Sequence, residues 1–247
     1  MEAVERVTCL KVPLDILPPE ALAETINRMA ATGESCHIVL LSLWDLLRAR
    51  KSGEYRSYVL SASLVIPISK SIISGVRFLT GKSPVRYMPF DFVVKTLTAL
   101  EERGRSVYLL GSRRKSLQTA ERNIKHTFPG LRIVGRFTGG FRRQDEEHIL
   151  KGVRKAAPTL LLIAKGVAGD ERWIARNDAL LSSGIRLWCS DLFDIFAERK
   201  SRPSRKTFDR GMEWFVFFLR NPLRFFLVFP YSYYKILLLY YKLFKRE

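Results

Sequence analysis

The sequence predicts an α/β fold in which helices cover both faces of a parallel sheet and a basic, aromatic-rich helical appendage follows. Three observations lead to this prediction. Short apolar runs alternate with helix-length amphipathic segments, the runs are apolar at consecutive positions, and the composition changes after Asp194. With 247 residues the chain can bury one sizeable core and still carry an appendage.

The predicted strands are six apolar runs, at residues 37–42, 64–67, 106–111, 131–135, 159–166 and 185–190. Continuous apolar character is typical of strands that are buried on both faces, as in parallel sheets. The predicted helices lie mostly between these runs, at residues 21–29, 91–103, 116–128, 145–156 and 171–182. This alternation predicts a Rossmann-like core over residues 1–197.

The charge of the chain narrows the range of partners. Lys and Arg number 42 against 24 Asp and Glu, a formal net charge of +18. Such an excess favours nucleic acid, an anionic bilayer or phosphorylated small molecules. The three cysteines and three histidines are scattered, so we expect neither a disulfide framework nor a metal site. The first residues do not resemble a signal peptide, so we expect a cytoplasmic setting.

The appendage, predicted over residues 198–247, is the most basic part of the chain, with twelve Lys or Arg against four Asp or Glu. It contains the stretch FFLVFPYSYYKILLLYYKLF, interrupted by Pro230 and Lys235. A membrane-spanning helix needs about 20 mostly apolar residues without a central charge. We therefore expect peripheral association with an anionic membrane surface. A helix packed on the core and a true span are the alternatives.

Ligands of such sheets bind outside the carboxyl ends of the strands, so the loops that follow the predicted strands are the candidate sites. Gly111 and Ser112 follow the third run and open a helix, where free backbone N–H groups can bind phosphate. A glycine that only turns the chain is the alternative interpretation.

Acidic residues follow two further strands. Asp170 and Glu171 come after Gly166 and enter a helix, where they could bind ribose or sugar hydroxyls. The alternative is that they cap that helix and favour its dipole. Asp191 and Asp194 follow the last strand and leave the same two interpretations open.

The order of these segments resembles the WecG/TagA/CpsF family over residues 8–230. The chain has VYLLGS, a helix and FPGLRIVGRFTGGF where the family has "vyllGG", a helix, "yPgl-ivG" and "GyF". Residues 165–174 fall on the family's G-x-P-x-Q-E-x-W, and Asp194 falls on the aspartate of its "f-D". Arg202 falls on the arginine of "RAP", and Arg224 on that of "EP-x-R".

The resemblance implies an inverting, metal-independent glycosyltransferase of envelope polysaccharide synthesis. Such enzymes transfer an N-acetylmannosamine-type sugar from a UDP donor to a lipid-linked (polyprenyl) acceptor, peripherally at the cytoplasmic side of the inner membrane. It implies no cofactor beyond the UDP-sugar substrate and leaves a homo-oligomer open. The positions it suggests for substrate binding are Gly111, Ser112, Gly139, Gly166, Glu171, Asp194, Arg202 and Arg224.

The chain departs from the family where the chemistry is expected. Leu40 and Ser42 stand where the family has T-x-N, and Ile68 stands at the aspartate of its P-D-G, the expected catalytic base. Isoleucine cannot accept a proton, so base catalysis by residue 68 is excluded. Phe217 replaces an arginine of the appendage. The candidates for a substitute base are Asp194, Glu171, Asp170 and Asp191.

Three hypotheses follow from these features. The first is a divergent glycosyltransferase, in which one of those carboxylates or a substrate phosphate accepts the proton. The second is a non-catalytic, membrane-bound scaffold or regulator descended from the family. The third is nucleic-acid binding, which only the net charge favours, because the sequence contains no recognisable recognition module.

Overall fold

The structure is a computed structural model that describes residues 4–51, 53–181, 184–202, 204–210 and 228–244. It begins with a hairpin of two antiparallel strands, β1 (Glu5–Cys9) and β2 (Val12–Ile16). Leu10 and Lys11 form the two-residue turn, both with positive φ, as the tightest hairpin turns require. The buried residues of the hairpin join one of the two hydrophobic clusters of the core.

Six parallel strands form the central sheet, as the sequence predicted. They are β3 (Ser35–Leu41), β4 (Leu64–Pro67), β5 (Ser106–Leu110), β6 (Arg132–Phe137), β7 (Leu160–Ile163) and β8 (Gly184–Trp188). Their order across the sheet is β4-β3-β8-β7-β5-β6, and every pair is parallel. The last strand of the chain therefore lies in the middle of the sheet.

Eleven helices are present in the described ranges. They are α1 (Leu22–Thr32), α2 (Leu43–Ala49), α3 (Glu54–Leu60), α4 (Lys70–Thr80), α5 (Pro89–Glu101), α6 (Arg114–Thr127), α7 (Glu146–Ala156), α8 (Arg172–Arg176), α9 (Leu192–Phe196), α10 (Arg205–Arg210) and α11 (Val228–Phe244). The helix predicted at residues 171–182 is shorter, because α8 is followed by a 3-10 turn at Asp178–Leu180.

Apolar side chains on both faces of the sheet form two hydrophobic clusters. Leu161 and Ile163 of β7 belong to one cluster, while Leu160 and Leu162 belong to the other. Successive side chains of a strand point to opposite faces, so a strand covered on both sides must be apolar at every position. This confirms the physical basis of the prediction for strands such as β7, whereas the edge strand β6 has no fully buried residue.

One face of α11 packs on the core. Tyr234 and Tyr241 are buried there, and the Tyr234 hydroxyl donates to the Ser71 carbonyl oxygen at 3.3 Å. A side chain at Gly75 of α4 would collide with that hydroxyl, so the glycine permits the close approach of the two helices. The interpretation of the apolar stretch as a packed helix thus holds for this face.

The opposite face of α11 is an exposed apolar stripe, formed by Phe229, Tyr233, Ile236, Leu239, Tyr240, Leu243 and Phe244. Among the described residues, no helix has the length and apolar character needed to cross a membrane. Arg224 and Phe217, which the family resemblance singled out, lie outside the described residues. The division of the chain after residue 197 stays a prediction.

Candidate functional site

A cleft of about 860 Å³ lies at the carboxyl ends of β3, β4 and β8. The chain leaves β3 towards β4 on one side, whereas it leaves β8 through α9, which packs against α6 on the other side. In parallel sheets a crevice opens where successive connections diverge in this way. The topology therefore accounts for the position of the cleft, which is also the edge at which the sequence predicted a site.

The cleft combines aromatic surfaces with a basic wall. Trp188 from the end of β8 and Phe90 from the start of α5 line it, together with Lys200 and Arg202 from the segment after α9. The Arg202 guanidinium carbon lies 5.7 Å from the centre of the Phe90 ring. Ligand sites typically join apolar surface to a few polar groups that fix orientation, and this lining has both.

Glu171 also lines the cleft and does not cap α8. It occupies the N-cap position of that helix, but its side chain makes no capping hydrogen bond. Its carboxylate instead forms an ion pair with Arg48 of α2, whose guanidinium carbon stacks 3.4 Å from the centre of the Tyr55 ring. Of the two interpretations left open for Glu171, the structure therefore favours a carboxylate that faces the cleft.

Asp191 and Asp194 share a lysine. The Lys165 Nζ lies 2.7 Å from Asp191 Oδ1 and 2.5 Å from Asp194 Oδ2, and Lys200 also pairs with Asp191. Although burial by itself would raise the pKa of both carboxyls, the hydrogen bonds from these lysines to Asp191, and from Lys165 and Ser116 to Asp194, lower it. A carboxylate held in this way is a weak proton acceptor.

The two aspartates differ in position. Asp191 lines the cleft, whereas Asp194 is not among the described residues that line it. Asp194 instead accepts a hydrogen bond from the Ser112 hydroxyl at 3.5 Å and so ties α9 to the loop after β5. Its position indicates that it fixes the sheet edge beside the cleft.

The loops that contain Gly111, Gly139 and Gly166 are hydrogen-bonded to one another through their backbones. The Gly111 N–H donates to the Phe137 carbonyl oxygen at 2.9 Å, and the Ser112 N–H to that of Lys165 at 2.6 Å. A β-carbon at Gly139 would lie only 3.0 Å from the backbone of Gly166. Because these N–H groups are already used, the structure favours the interpretation in which Gly111 turns the chain. A direct contact of these residues with substrate stays a prediction.

Asp170 lies outside the described cleft lining, although its neighbour Glu171 is part of it. Its backbone has a φ of +52°, and burial, together with the charge of Glu171, raises the pKa of its carboxyl. The structure brings Glu171, Asp191 and Arg202 together at the cleft and leaves Asp170 beside it.

Asp45, an acid in the first turn of α2, was not among the site residues predicted from the sequence. Its side chain lines the cleft and is 29% exposed. It forms a capping box with Ser42, in which the Ser42 N–H donates to Asp45 Oδ2 at 3.2 Å and the Asp45 N–H donates to Ser42 Oγ at 3.3 Å. The spacing S-x-x-D directly after the first sheet strand was the signal that could have revealed it.

Ile68 lies on the wall of the same cleft. Its N–H donates to the Leu41 carbonyl oxygen at 3.0 Å, and Arg86 Nε donates to the Ile68 carbonyl oxygen at 2.9 Å. The backbone after β4 is thus held in place while the side chain presents only apolar surface. The structure places the residue expected to be the base at the cleft, but without a group that can accept a proton.

Two comparisons with known proteins bear on this cleft. The family model described as "Glycosyl transferase WecG/TagA/CpsF family" matches residues 7–247. An N-acetylglucosaminyldiphosphoundecaprenol N-acetyl-beta-D-mannosaminyltransferase of Bacillus subtilis (strain 168) is 20% identical over 176 residues, which cover 71% of this chain and 68% of that relative. Both agree with the resemblance found from the sequence segments.

Proposed function

This chain belongs to the WecG/TagA/CpsF family of glycosyltransferases, and from that premise we propose that it transfers an N-acetylmannosamine-type sugar from a UDP donor to a lipid-linked acceptor at the cytoplasmic face of the membrane. The observation that carries the proposal is the cleft at the carboxyl ends of β3, β4 and β8, with its aromatic lining and basic wall. The named activity of the Bacillus subtilis relative supports the same class of substrates.

The basic wall suits the diphosphate of a nucleotide sugar. Lys200 and Arg202 are within one short segment on one side of the cleft. Arginine binds phosphate oxygens through paired N–H donors, and lysine adds a point charge. Trp188 and Phe90 offer flat apolar surfaces for a nucleobase or a sugar ring. Asp45 and Glu171, which also line the cleft, are then left to contact hydroxyl groups.

The exposed stripe of α11 suits a membrane surface. Large apolar side chains recur along one face of this helix, and Lys235 and Lys242 are exposed on it as well. Apolar side chains with flanking cations are typical of helices that lie in the interface of anionic bilayers. Because α11 packs on α4, which begins two residues after Ile68, binding of α11 to a bilayer brings the cleft close to a lipid-linked acceptor.

A transfer assay tests this proposal. The full chain is incubated with UDP-N-acetylmannosamine and N-acetylglucosaminyl-diphosphoundecaprenol in detergent, and UDP release and the lipid product are measured by chromatography. We expect equimolar UDP and disaccharide-lipid, no release without the acceptor, and no loss of rate in EDTA. UDP release no faster than in protein-free controls, with several N-acetylhexosamine donors, would contradict the proposal.

A non-catalytic scaffold remains the second candidate, and the observation that favours it is the apolar Ile68 side chain on the cleft wall. Such a scaffold would bind the membrane, and could retain the nucleotide, without turnover. The same assay separates the two candidates, because only the enzyme forms the disaccharide-lipid.

A further inference from the structure

We propose that Asp45 is the general base of the transfer reaction, supplied from the start of α2 in place of an acid at residue 68. This inference rests on the proposed function and names the group that would accept the proton.

Asp45 and Ile68 enter the cleft from neighbouring strand ends. Leu41 and Pro67 are paired across β3 and β4, so residues 42 and 68 follow at the same level of the sheet edge. Asp45 lies one helical turn after Ser42, and its carboxylate also accepts a hydrogen bond from the Ser42 hydroxyl. The Asp45 and Ile68 side chains both line the cleft, so an acid at Asp45 supplies the same cleft with a proton acceptor that Ile68 lacks.

Three acids line the cleft in the part of the chain that the structure describes: Asp45, Glu171 and Asp191. Asp191 is paired with two lysines, and Glu171 is paired with Arg48. The contact of Asp45 Oδ1 with Arg48 is looser, at 3.6 Å, and Arg48 is shared with Glu171. Among these described acids, Asp45 is the one that no cation holds closely.

The hydrogen bonds of Asp45 also leave one oxygen available. Both the Ser42 N–H and the Ser42 hydroxyl donate to Oδ2, while Oδ1 accepts no hydrogen bond from the described residues. The capping box thus fixes the orientation of the carboxylate and leaves Oδ1 as the atom that can take a proton.

Burial raises the pKa of the Asp45 carboxyl, and hydrogen bonds from Ser42 and the charge of Arg48 only partly oppose this, while Glu171 adds to it. Tyr55 and Tyr58 of α3 also face this region as neutral groups, because burial raises the pKa of both phenols. A base with a raised pKa accepts a proton more readily from a hydroxyl.

The step balances as a single displacement. The hydroxyl oxygen of the acceptor sugar attacks the anomeric carbon of the donor sugar, as the bond from that carbon to the diphosphate oxygen breaks. The hydroxyl proton passes to Oδ1 of Asp45, and UDP leaves with the electron pair of the broken bond. Asp45 then returns the proton to solvent.

Asp45→Asn tests the proposal, because asparagine keeps an acceptor for the Ser42 N–H but cannot take a proton. In the transfer assay we expect kcat to fall by about 100-fold or more, with the KM for UDP-sugar and the Tm close to those of the wild type. Adding Ile68→Asp in the Asp45→Asn background should restore part of the lost rate, since it returns an acid to the neighbouring position.

Ser42→Ala is the second variant and separates a base from a capping residue. It removes the Ser42 hydroxyl, whose hydrogen bond lowers the pKa of Asp45. Activity of the wild type should fall as pH drops through the pKa of the base, and in Ser42→Ala this acid limb should move to higher pH. If Asp45 is purely structural, Asp45→Asn lowers the Tm and Ser42→Ala leaves the acid limb where it is in the wild type.

The outcomes are distinguishable. An active wild type with an Asp45→Asn rate within threefold of it, or with an acid limb that Ser42→Ala does not move, would overturn the assignment of Asp45 and leave the proposed function intact. A wild type that forms no disaccharide-lipid would overturn the proposed function, and the assignment with it.

Discussion

Gly111 illustrates how a residue at the sheet edge can serve the fold. Its φ is +111°, and a β-carbon there would collide with the backbone carbonyl of Ala164 on the neighbouring strand end. The residue is thus constrained both by conformation and by close approach. Backbone conformation and packing therefore explain why residue 111 is glycine, although the sequence also allowed a phosphate site there.

Gly111→Ala is therefore expected to lower stability by about 2 kcal/mol or more, because a left-handed backbone alone costs an alanine about 1–2 kcal/mol. Thermal unfolding with and without UDP measures this. Gly152→Ala is the matched control, since Gly152 lies in α7 with open space around it and should gain about 1 kcal/mol. An unchanged Tm for Gly111→Ala, with weakened UDP binding, would instead support a direct ligand contact.

The Lys165 pairs predict a pH-dependent stability. The pKa of Asp194 is lowered in the folded protein because the hydrogen bonds from Lys165 and Ser116 outweigh burial. Such a group stabilises the fold above the unfolded pKa, about 3.9, and the contribution is lost as pH falls through the folded pKa. Asp194→Asn should lower the Tm at pH 7, and the difference from the wild type should shrink below about pH 4.

The control for this prediction is Lys165→Met. In that background Asp194→Asn should have a much smaller effect at pH 7, since the main partner of the carboxylate is gone. A wild-type and Asp194→Asn difference that is constant between pH 3 and 7 would contradict the electrostatic role.

Single residues of the cleft were only partly predictable. Glu171, Asp191 and Arg202 could be placed at the sheet edge because each follows a strand end or matches a family position. Asp45 also follows a strand end, but nothing in the sequence sets it apart from an ordinary capping acid of a seven-residue helix. Its importance depends on burial and on the ion pairs of its neighbours, which only the tertiary structure determines.

The helix α11 has two faces with different partners. Tyr234 and Tyr241 pack into the core, whereas Ile236 and Leu243 are each 67% exposed. The sequence predicted a helix with membrane affinity but could not separate these faces, because apolar residues occur all around it. The close packing depends on Gly75 in α4, far away in sequence.

The double variant Ile236→Glu/Leu243→Glu tests whether the exposed face of α11 binds a membrane. The double variant should lose most of its binding to phosphatidylglycerol vesicles in a sedimentation assay, because it removes apolar contacts and adds negative charge next to anionic lipid. The Tm should stay near that of the wild type, since neither side chain is buried.

Val134→Glu is the matched control, because Val134 is an exposed apolar residue on β6, at the opposite edge of the sheet from β4. It should bind vesicles as the wild type does. Equal loss of binding in both variants, or full binding by the double variant, would show that the α11 stripe is not the membrane surface.

The sequence prediction lacked the hairpin of β1 and β2, the eleven-residue helix α4 and the shorter helices α2, α3 and α9. Helices α2 and α3 have seven residues each, two turns in which a periodic pattern cannot be told from chance. Both stand between β3 and β4 and form one side of the cleft through Asp45, Tyr55 and Tyr58. Because α2 and α3 were not predicted, this side of the cleft was not predicted either.

At the scale of the whole molecule, the fold class followed from the continuous apolar runs, since only strands buried on both faces need them. The strand order β4-β3-β8-β7-β5-β6 could not be predicted from the sequence, because pairing between distant strands leaves no local pattern. That order places β8 beside β3 and so joins residues near 42, 68, 171 and 202 in one cleft. The site is thus a product of topology as much as of motifs.

The central claim is that this cleft binds a nucleotide-sugar donor, and calorimetric titration of UDP into the full chain tests it most directly. We predict that the wild type binds UDP with micromolar affinity. Arg202→Ala should weaken this binding about tenfold or more, because it removes a cation from the basic wall. A tenfold weaker affinity corresponds to about 1.4 kcal/mol of binding free energy. Arg199→Ala, at an exposed arginine outside the described cleft lining, should bind as the wild type does. No detectable UDP binding, or equal binding by both variants, would contradict the account.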